Sequence, residues 1–255
     1  MGLLSPTPAN RLDSKTMAAK EAALFHDAQE DAMKAVAQRR LGSSLVQVGD
    51  AQLEGELTLP ARAAAIVVFA HGSGSSRLSP RNRRVASVLQ EQGLGTLLFD
   101  LLGDAEAADR RNVFDIGLLG RRIAGALDWL AGRDDTRDLR AGLFGASTGA
   151  AAAMCAAAER PARVGAIVSR GGRPDLAGAC LGLVHAPTLL IVGGNDTEVL
   201  HLNRAALLAM HCNKRLEVVP GASHLFEEPG TLETAAHLAA AWFTTHLDPR
   251  STPRL

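Results

Sequence analysis

Short apolar runs alternate with amphipathic segments along most of the chain. Each run is long enough for a buried β-strand and too short for a helix. In the intervening segments, apolar positions spaced by three or four residues are typical of helices that cover a sheet. The predicted strands span residues 64–70, 96–100, 141–144, 164–169, 187–193 and 216–220. The predicted helices span residues 82–92, 115–131, 150–158, 199–210 and 231–246.

This alternation predicts an α/β fold with a mostly parallel central sheet and helices on both faces, because parallel strands need crossover connections. Residues 44–59 alternate apolar and polar positions around Gly49-Asp50, which predicts an antiparallel hairpin at the edge of the sheet. Only residues 170–186 separate two of the predicted strands, too few for a cap domain. We therefore expect a site with a minimal cap or none, open to small or exposed substrates.

A further helix is predicted before the sheet, over residues 14–40, because its apolar positions fall on one side of a helix. These positions are Met17, Leu24, Ala28, Ala32 and Val36. The prediction divides the chain into an N-terminal arm and helix (1–43), one α/β domain (44–248) and a C-terminal tail (249–255). We interpret the helix as one that packs on the domain, and a homodimer contact is the alternative.

Composition and charge limit the classes of binding partner and the cellular location that we expect. The 255 residues carry 27 basic and 27 acidic side chains, a balance that argues against nucleic acid or an anionic membrane as the main partner. No apolar run reaches the roughly 18 residues of a membrane span, and the N-terminus lacks the pattern of a signal peptide. The three cysteines lie far apart, without the spacing of a metal site or a disulfide framework. We expect a cytoplasmic protein.

Candidate chemistry begins at Gly145-Ala146-Ser147-Thr148-Gly149, between a predicted strand and an alanine-rich helix. A serine in a tight strand-to-helix turn lies above the sheet at a helix N-terminus, where developing negative charge is stabilised. Such a serine needs a histidine base and an acid that orients the histidine. Asp196 follows the strand over 187–193, and His224 follows the strand over 216–220. Asp175, which follows the predicted strand over 164–169, is the second candidate for the acid.

An oxyanion needs two preorganised N–H donors. One predicted donor is the backbone N–H of Thr148, the residue after the serine. The other is the backbone N–H of Ser73, in the glycine loop that follows residues 64–70. In this loop Gly72 and Gly74 let the backbone approach a substrate, whereas His71 is interpreted as a residue that shapes the loop.

Arginines stand close to these motifs. Arg77 and Arg81 flank the glycine loop, and Arg170 and Arg173 follow the strand over 164–169. Because a guanidinium matches the oxygens of carboxylate and phosphate groups, Arg170 or Arg81 is a candidate reader of an acidic group on the substrate. The alternative, which we prefer at this stage, is a structural ion pair of Arg170. Its candidate partners are Asp175 and Glu227.

Together these motifs resemble the α/β-hydrolases of the dienelactone hydrolase-like group. The resemblance covers residues 45–247 and is carried by the loop over 71–82, the elbow over 145–149, the run SRGGRPDLAG and the ending HLFEEPG. In this branch the domain is sometimes fused to a phosphoribosyltransferase, but no phosphoribosyltransferase motif is visible in the chain. The resemblance implies the α/β-hydrolase fold and a hydrolase of esters or related acyl compounds. Dienelactone hydrolases use a cysteine nucleophile, so Ser147 argues against dienelactone itself as the substrate.

The sequence therefore predicts a serine hydrolase, a carboxylesterase without cofactor or metal, that acts on a small acyl substrate. Its activity should fall at acid pH, because a protonated His224 cannot accept the serine proton. Thioesterase, lactonase and acyltransferase activities would use the same residues and remain alternatives. The alternative outside enzymes is a hydrolase-like binding module.

Overall fold

A computed structural model describes residues 41–248. Their eight strands form one sheet in the order β1-β2-β4-β3-β5-β6-β7-β8. The strands are β1 (Leu41–Val48), β2 (Leu53–Pro60), β3 (Ala65–Ala70), β4 (Gly95–Phe99), β5 (Arg140–Ala146), β6 (Val164–Arg170), β7 (Thr188–Gly193) and β8 (Lys214–Val219). β2 runs antiparallel to β4, and the six strands from β4 to β8 along the sheet are parallel.

Seven α-helices lie within the described residues. They are α1 (Pro80–Glu91), α2 (Asp104–Ala107), α3 (Arg110–Val113), α4 (Ile116–Ala131), α5 (Thr148–Glu159), α6 (Thr197–Ala209) and α7 (Thr231–Leu247). The two short helices α2 and α3 lie between the predicted strand over 96–100 and the predicted helix over 115–131. The sequence analysis gives no element there, because four-residue helices are too short for a periodic pattern. The helix predicted over 14–40 and the tail over 249–255 lie outside the described residues.

Two apolar layers hold the helices on the sheet. On one face α4, α5 and α6 pack through residues such as Ile123, Leu127 and Met154. On the other face α1 and α7 pack through residues such as Leu89 and Phe243. All six residues of β3 and of β7 are buried, which explains why these strands are continuous apolar runs rather than alternating ones. The predicted mostly parallel sheet with helices on both faces is confirmed.

Strand register brings the chemistry-bearing loops to one edge of the sheet. Ala70 at the end of β3 pairs with Gly145, and Ala146 pairs with Arg170. Further along, Gly193 at the end of β7 pairs with Val219 at the end of β8. Because parallel strands end at the same edge, the segments that follow β3, β5, β6, β7 and β8 emerge side by side.

The connection between β6 and β7 is short, as predicted. It contains a 3-10 segment, Pro174–Leu183, which is interrupted by a kink at Gly178, and no inserted domain. The edge of the sheet that carries the candidate residues therefore has no cap domain above it within residues 41–248. In the same range, no helix combines the length and the apolar character needed to cross a membrane.

Cys155 and Cys180 form a disulfide, so the interpretation that the cysteines form no disulfide framework is wrong. Cys155 lies in α5 and Cys180 in the 3-10 segment, 25 residues later, with their Cα atoms 5.2 Å apart. Sequence spacing does not reveal the pair, because it arises from the packing of the segment against α5. The third cysteine, Cys212, is free. A cytoplasmic location stays a prediction, and the cysteine pattern no longer supports it.

Reduction of this disulfide should destabilise the fold. Closing a loop of this length restricts the unfolded chain and is worth about 3.5 kcal/mol. Denaturant unfolding of the wild type, with and without reductant, should therefore show a lower midpoint for the reduced protein. The variant Cys155→Ser should match the reduced protein, whereas Cys212→Ser should respond to reductant as the wild type does. Identical midpoints for oxidised and reduced wild type would contradict the prediction.

Candidate active site

Ser147 occupies a strained turn between β5 and α5. Its backbone has φ 51° and ψ −124°, a positive φ that a residue other than glycine rarely adopts. The neighbouring glycines make the turn sterically feasible. A Cβ atom on Gly145 would lie 2.7 Å from the backbone nitrogen of Ala150, and one on Gly149 would lie 2.5 Å from the carbonyl oxygen of His71. The turn thus requires glycine two residues before and two residues after the serine.

The other two candidate triad residues are hydrogen-bonded to each other. His224 Nδ1 and Asp196 Oδ2 are 2.7 Å apart. When this nitrogen donates its proton to the carboxylate, Nε2 is left as the basic nitrogen of the neutral ring. The side chain of Asp196 is 13% exposed and that of His224 is 38% exposed. The acid is therefore shielded from solvent, and the imidazole remains reachable by a substrate.

Hydrogen bonds between neighbouring loops fix this pair. The Asn195 N–H donates to the carbonyl oxygen of Ala222 at 2.9 Å, and Asn195 Nδ2 donates to the carbonyl oxygen of Gly221 at 2.9 Å. On the far side of the histidine loop, the Ser223 N–H donates to Glu228 Oε2 at 3.0 Å. This backbone donor holds the pKa of the Glu228 carboxyl below its usual value. The loops that carry Asp196 and His224 are thus held in register with each other.

Ser147 and His224 line the same cavity, which has a volume of about 250 Å³. Of the predicted substrate-binding residues, Gly72, Arg81 and Arg170 also line it, whereas Gly74 lines a neighbouring cavity of about 360 Å³. Gly72, Ser73 and Ser75 border both cavities. The remaining residues around the first cavity are Ser79, Asn82, Ala146, Gly171 and Leu225.

The two predicted oxyanion donors belong to adjacent, mutually bonded residues. The Ser73 N–H donates to Thr148 Oγ1 at 2.9 Å, so the glycine loop is joined to the first residue of α5. Gly72 lies so close to the elbow that a Cβ atom on it would be 2.9 Å from Ser147 Cβ. An oxyanion that uses the Ser73 N–H would have to share this donor with the Thr148 hydroxyl or displace it.

His71 is fully engaged in shaping the glycine loop. Its Nε2 accepts a hydrogen bond from the Leu101 N–H at 3.1 Å, which places the ring proton on Nδ1, 3.0 Å from the carbonyl oxygen of Gly72. Burial lowers the pKa of His71, which favours the neutral ring. Asp100 anchors the other end of the loop, since it accepts from the Arg77 N–H at 2.7 Å and pairs with the Arg77 guanidinium.

The ion pair that we preferred for Arg170 is wrong. Asp175 pairs with Arg173 at 2.8 Å, and Glu227 pairs with Arg81 at 3.4 Å. Arg173 and Asp175 are only two positions apart in sequence, so their side chains meet locally. Asp175 therefore pairs with Arg173 rather than with Arg170. Asp175 is also far less suited than Asp196 to be the acid, because its two oxygens are bound to Arg173 rather than to His224.

Comparison with known proteins identifies the family. A crystal structure of a dienelactone hydrolase from Anabaena variabilis is 55% identical to the chain, with a TM-score of 0.78. The match covers 81% of the chain and 98% of the solved chain. The chain belongs to the dienelactone hydrolase-like α/β-hydrolases. A serine hydrolase homologue from Coxiella burnetii, 21% identical with a TM-score of 0.65 over 78% of the chain and 95% of its own, shares the α/β-hydrolase fold. No family model matches the chain.

Relatives of this dienelactone hydrolase-like chain include a Mycobacterium tuberculosis protein named "Putative phosphoribosyl transferase". It is 56% identical over 222 residues, which are 86% of the chain and 50% of the relative. The chain thus spans about half the length of this curated relative. The fused arrangement that the resemblance implied for this branch stays a prediction.

Two residues of this α/β-hydrolase site escaped the sequence reasoning. Asn82 is buried against the cavity, and its Oδ1 has no partner among the described residues. It belongs to the quoted run over 71–82, so its motif was visible and its role was not. Phe226 has a positive φ of 56° and places its ring beneath the Arg170 guanidinium, 5.6 Å from ring centroid to Cζ. No sequence signal predicts positive φ at a phenylalanine.

Proposed function

We propose that the chain is a serine hydrolase that cleaves a small or exposed carboxylic ester through Ser147, His224 and Asp196. The observation that carries this proposal is the arrangement of the three residues. A strained serine and a histidine line one cavity, and the Nδ1–H of the histidine donates a hydrogen bond to a shielded carboxylate. A serine nucleophile requires such a base and an acid that orients the base.

In the proposed mechanism, His224 Nε2 takes the hydroxyl proton while Ser147 Oγ attacks the acyl carbon. The oxyanion of the tetrahedral intermediate accepts from the Thr148 N–H and from the Ser73 N–H, and it displaces the Thr148 hydroxyl from the Ser73 N–H or shares that donor with it. Asp196 keeps the imidazole oriented and stabilises the imidazolium. The imidazolium then protonates the leaving alcohol, and an acyl-enzyme remains. Water repeats the sequence on the acyl-enzyme, releasing the carboxylic acid and restoring Ser147.

A lactone, which is a cyclic ester, is the second candidate substrate. It is supported by the name of the Anabaena variabilis structure, a dienelactone hydrolase. In both cases the bond between the acyl carbon and the alcohol oxygen breaks. In a lactone the released alcohol stays attached to the acyl group through the rest of the ring. Parallel assays with short-chain aryl esters, thioesters and lactones, each with wild type and Ser147→Ala, would rank the substrate classes.

Covalent labelling tests the proposed nucleophile directly. A fluorophosphonate reagent should modify the folded wild-type protein once, with loss of fluoride, and peptide mass spectrometry should locate the adduct on Ser147. Ser147→Ala should remain unlabelled, and His224→Gln should label much more slowly because the hydroxyl loses its base. Absence of labelling in a folded wild-type sample would contradict the proposal.

A further inference from the structure

Arg170 carries a buried positive charge without an acidic partner. The residue is 6% exposed, and its Nε has no hydrogen-bond partner. Within residues 41–248 its guanidinium forms no ion pair, since the carboxylates of Asp175 and Glu227 are engaged by other arginines. Burying an unpaired charge is costly, and buried charges in folded proteins are normally paired. The guanidinium of Arg170 therefore lacks a partner that an anionic ligand in the cavity could supply.

Phe226 orients this arginine rather than neutralising it. The guanidinium lies over the phenylalanine ring, 5.6 Å from its centroid. Contact with an aromatic face leaves the N–H groups at the guanidinium edge available, and these are the groups that bind carboxylate or phosphate oxygens. The ring is held there by a backbone with φ 56°, two residues after His224. Backbone strain of this kind persists where the surrounding structure requires one particular placement.

The surroundings of Arg170 favour an anion. Arg170 lines the 250 Å³ cavity together with Ser147 and His224, and Arg81 lines it as well. The cavity also borders the N-terminus of α1, whose first turn contains no acidic residue. Glu227, the acid paired with Arg81, has a side chain that is 63% exposed and does not line the cavity. Burial and the nearby Arg81 charge lower the pKa of Arg170 to about 10, so the guanidinium stays charged at neutral pH.

We propose that Arg170 binds an anionic oxygen group, a carboxylate or a phosphate, on the substrate that is hydrolysed at Ser147. This inference rests on the proposed function and names its substrate class: an ester with a small anionic group a few atoms from the scissile carbonyl. The short separation follows because Ser147 and Arg170 line the same cavity of about 250 Å³. Arg81 supplies a second positive charge to the same space.

Matched ester pairs test the charge preference. One pair places the anion on the acyl side (mono-nitrophenyl adipate), and the other places it on the alcohol side (meta-carboxyphenyl acetate). Each is compared with the methyl ester of its own carboxylate. Wild type should favour the anionic member of at least one pair by about 10- to 100-fold in kcat/KM, the range expected for one charge-assisted contact. Arg170→Met should abolish this preference, and Arg170→Lys should restore part of it.

Arg173→Met is the control, because Arg173 is a neighbouring arginine with its own acid partner. This variant should keep the wild-type preference for the anionic ester. Equal kcat/KM values for the two members of both pairs in wild type would overturn the proposal. So would a preference that Arg170→Met leaves intact.

A binding measurement separates this inference from the proposed function. Inorganic phosphate or adipate should raise the thermal midpoint of wild type above that in sodium chloride of equal ionic strength, and Arg170→Met should lose the shift. A larger shift with phosphate supports a phosphate group, and a larger shift with adipate supports a carboxylate. Absence of a shift with both anions would overturn the subsite even if neutral esters are hydrolysed. Failure of Ser147 labelling and of all ester hydrolysis would instead contradict the proposed function.

Discussion

Asp196→Asn should lower kcat for ester hydrolysis by about 10⁴-fold while the protein remains folded. The loss follows from the 2.7 Å contact between His224 Nδ1 and Asp196 Oδ2. An amide at this position can donate to Nδ1, which would move the ring proton to Nε2 and remove the base that Ser147 needs. It also removes the negative charge that stabilises the imidazolium. Steady-state kinetics with a neutral aryl ester and circular dichroism would measure the loss and confirm the fold.

Asp175→Asn is the matched control for this experiment. Asp175 follows the strand next to β5, the place from which some hydrolases take their acid, but both of its oxygens bind Arg173, at 2.9 and 2.8 Å. This substitution should change kcat little. A larger loss in Asp175→Asn than in Asp196→Asn would transfer the role of the acid to Asp175 and contradict the assignment.

The positions of the candidate residues were predictable because they depend on strand ends. A buried parallel strand is a recognisable apolar run, and the residues after it must emerge at one edge of the sheet. Asp196 and His224 follow two such runs, so their proximity could be expected before their hydrogen bond was seen. The same reasoning placed the glycine loop beside the elbow.

Contacts between side chains were not predictable in this way. Which acid pairs with which arginine depends on rotamers and distances of a few ångströms, and the preferred partner of Arg170 was therefore wrong. The disulfide between Cys155 and Cys180 has the same origin, since the 3-10 segment approaches α5 only in the folded chain. The Ser73 to Thr148 contact likewise depends on how close the glycine loop comes to the helix.

Gly149→Ala should destabilise the protein by about 3 kcal/mol or more, because its Cβ would overlap backbone rather than a movable side chain. The added atom would collide with the carbonyl oxygen of Ala70 and lie 2.5 Å from that of His71. Relief requires α5 to move away from the end of β3, and this movement would also displace Ser147 from the glycine loop. Denaturant unfolding should therefore show a lower midpoint, and any folded fraction should label slowly with a fluorophosphonate.

Gly125→Ala separates this steric effect from the general effect of replacing a glycine in a helix. Gly125 lies within α4, and a Cβ atom there would meet no other atom within 4 Å. Because alanine is the better helix former, this variant should be more stable than wild type by about 0.5–1 kcal/mol. If Gly149→Ala were as stable as Gly125→Ala, the close approach of β3 and α5 could not be the reason why position 149 requires glycine. The strained conformation of Ser147 would then need another explanation than the crowding of the elbow.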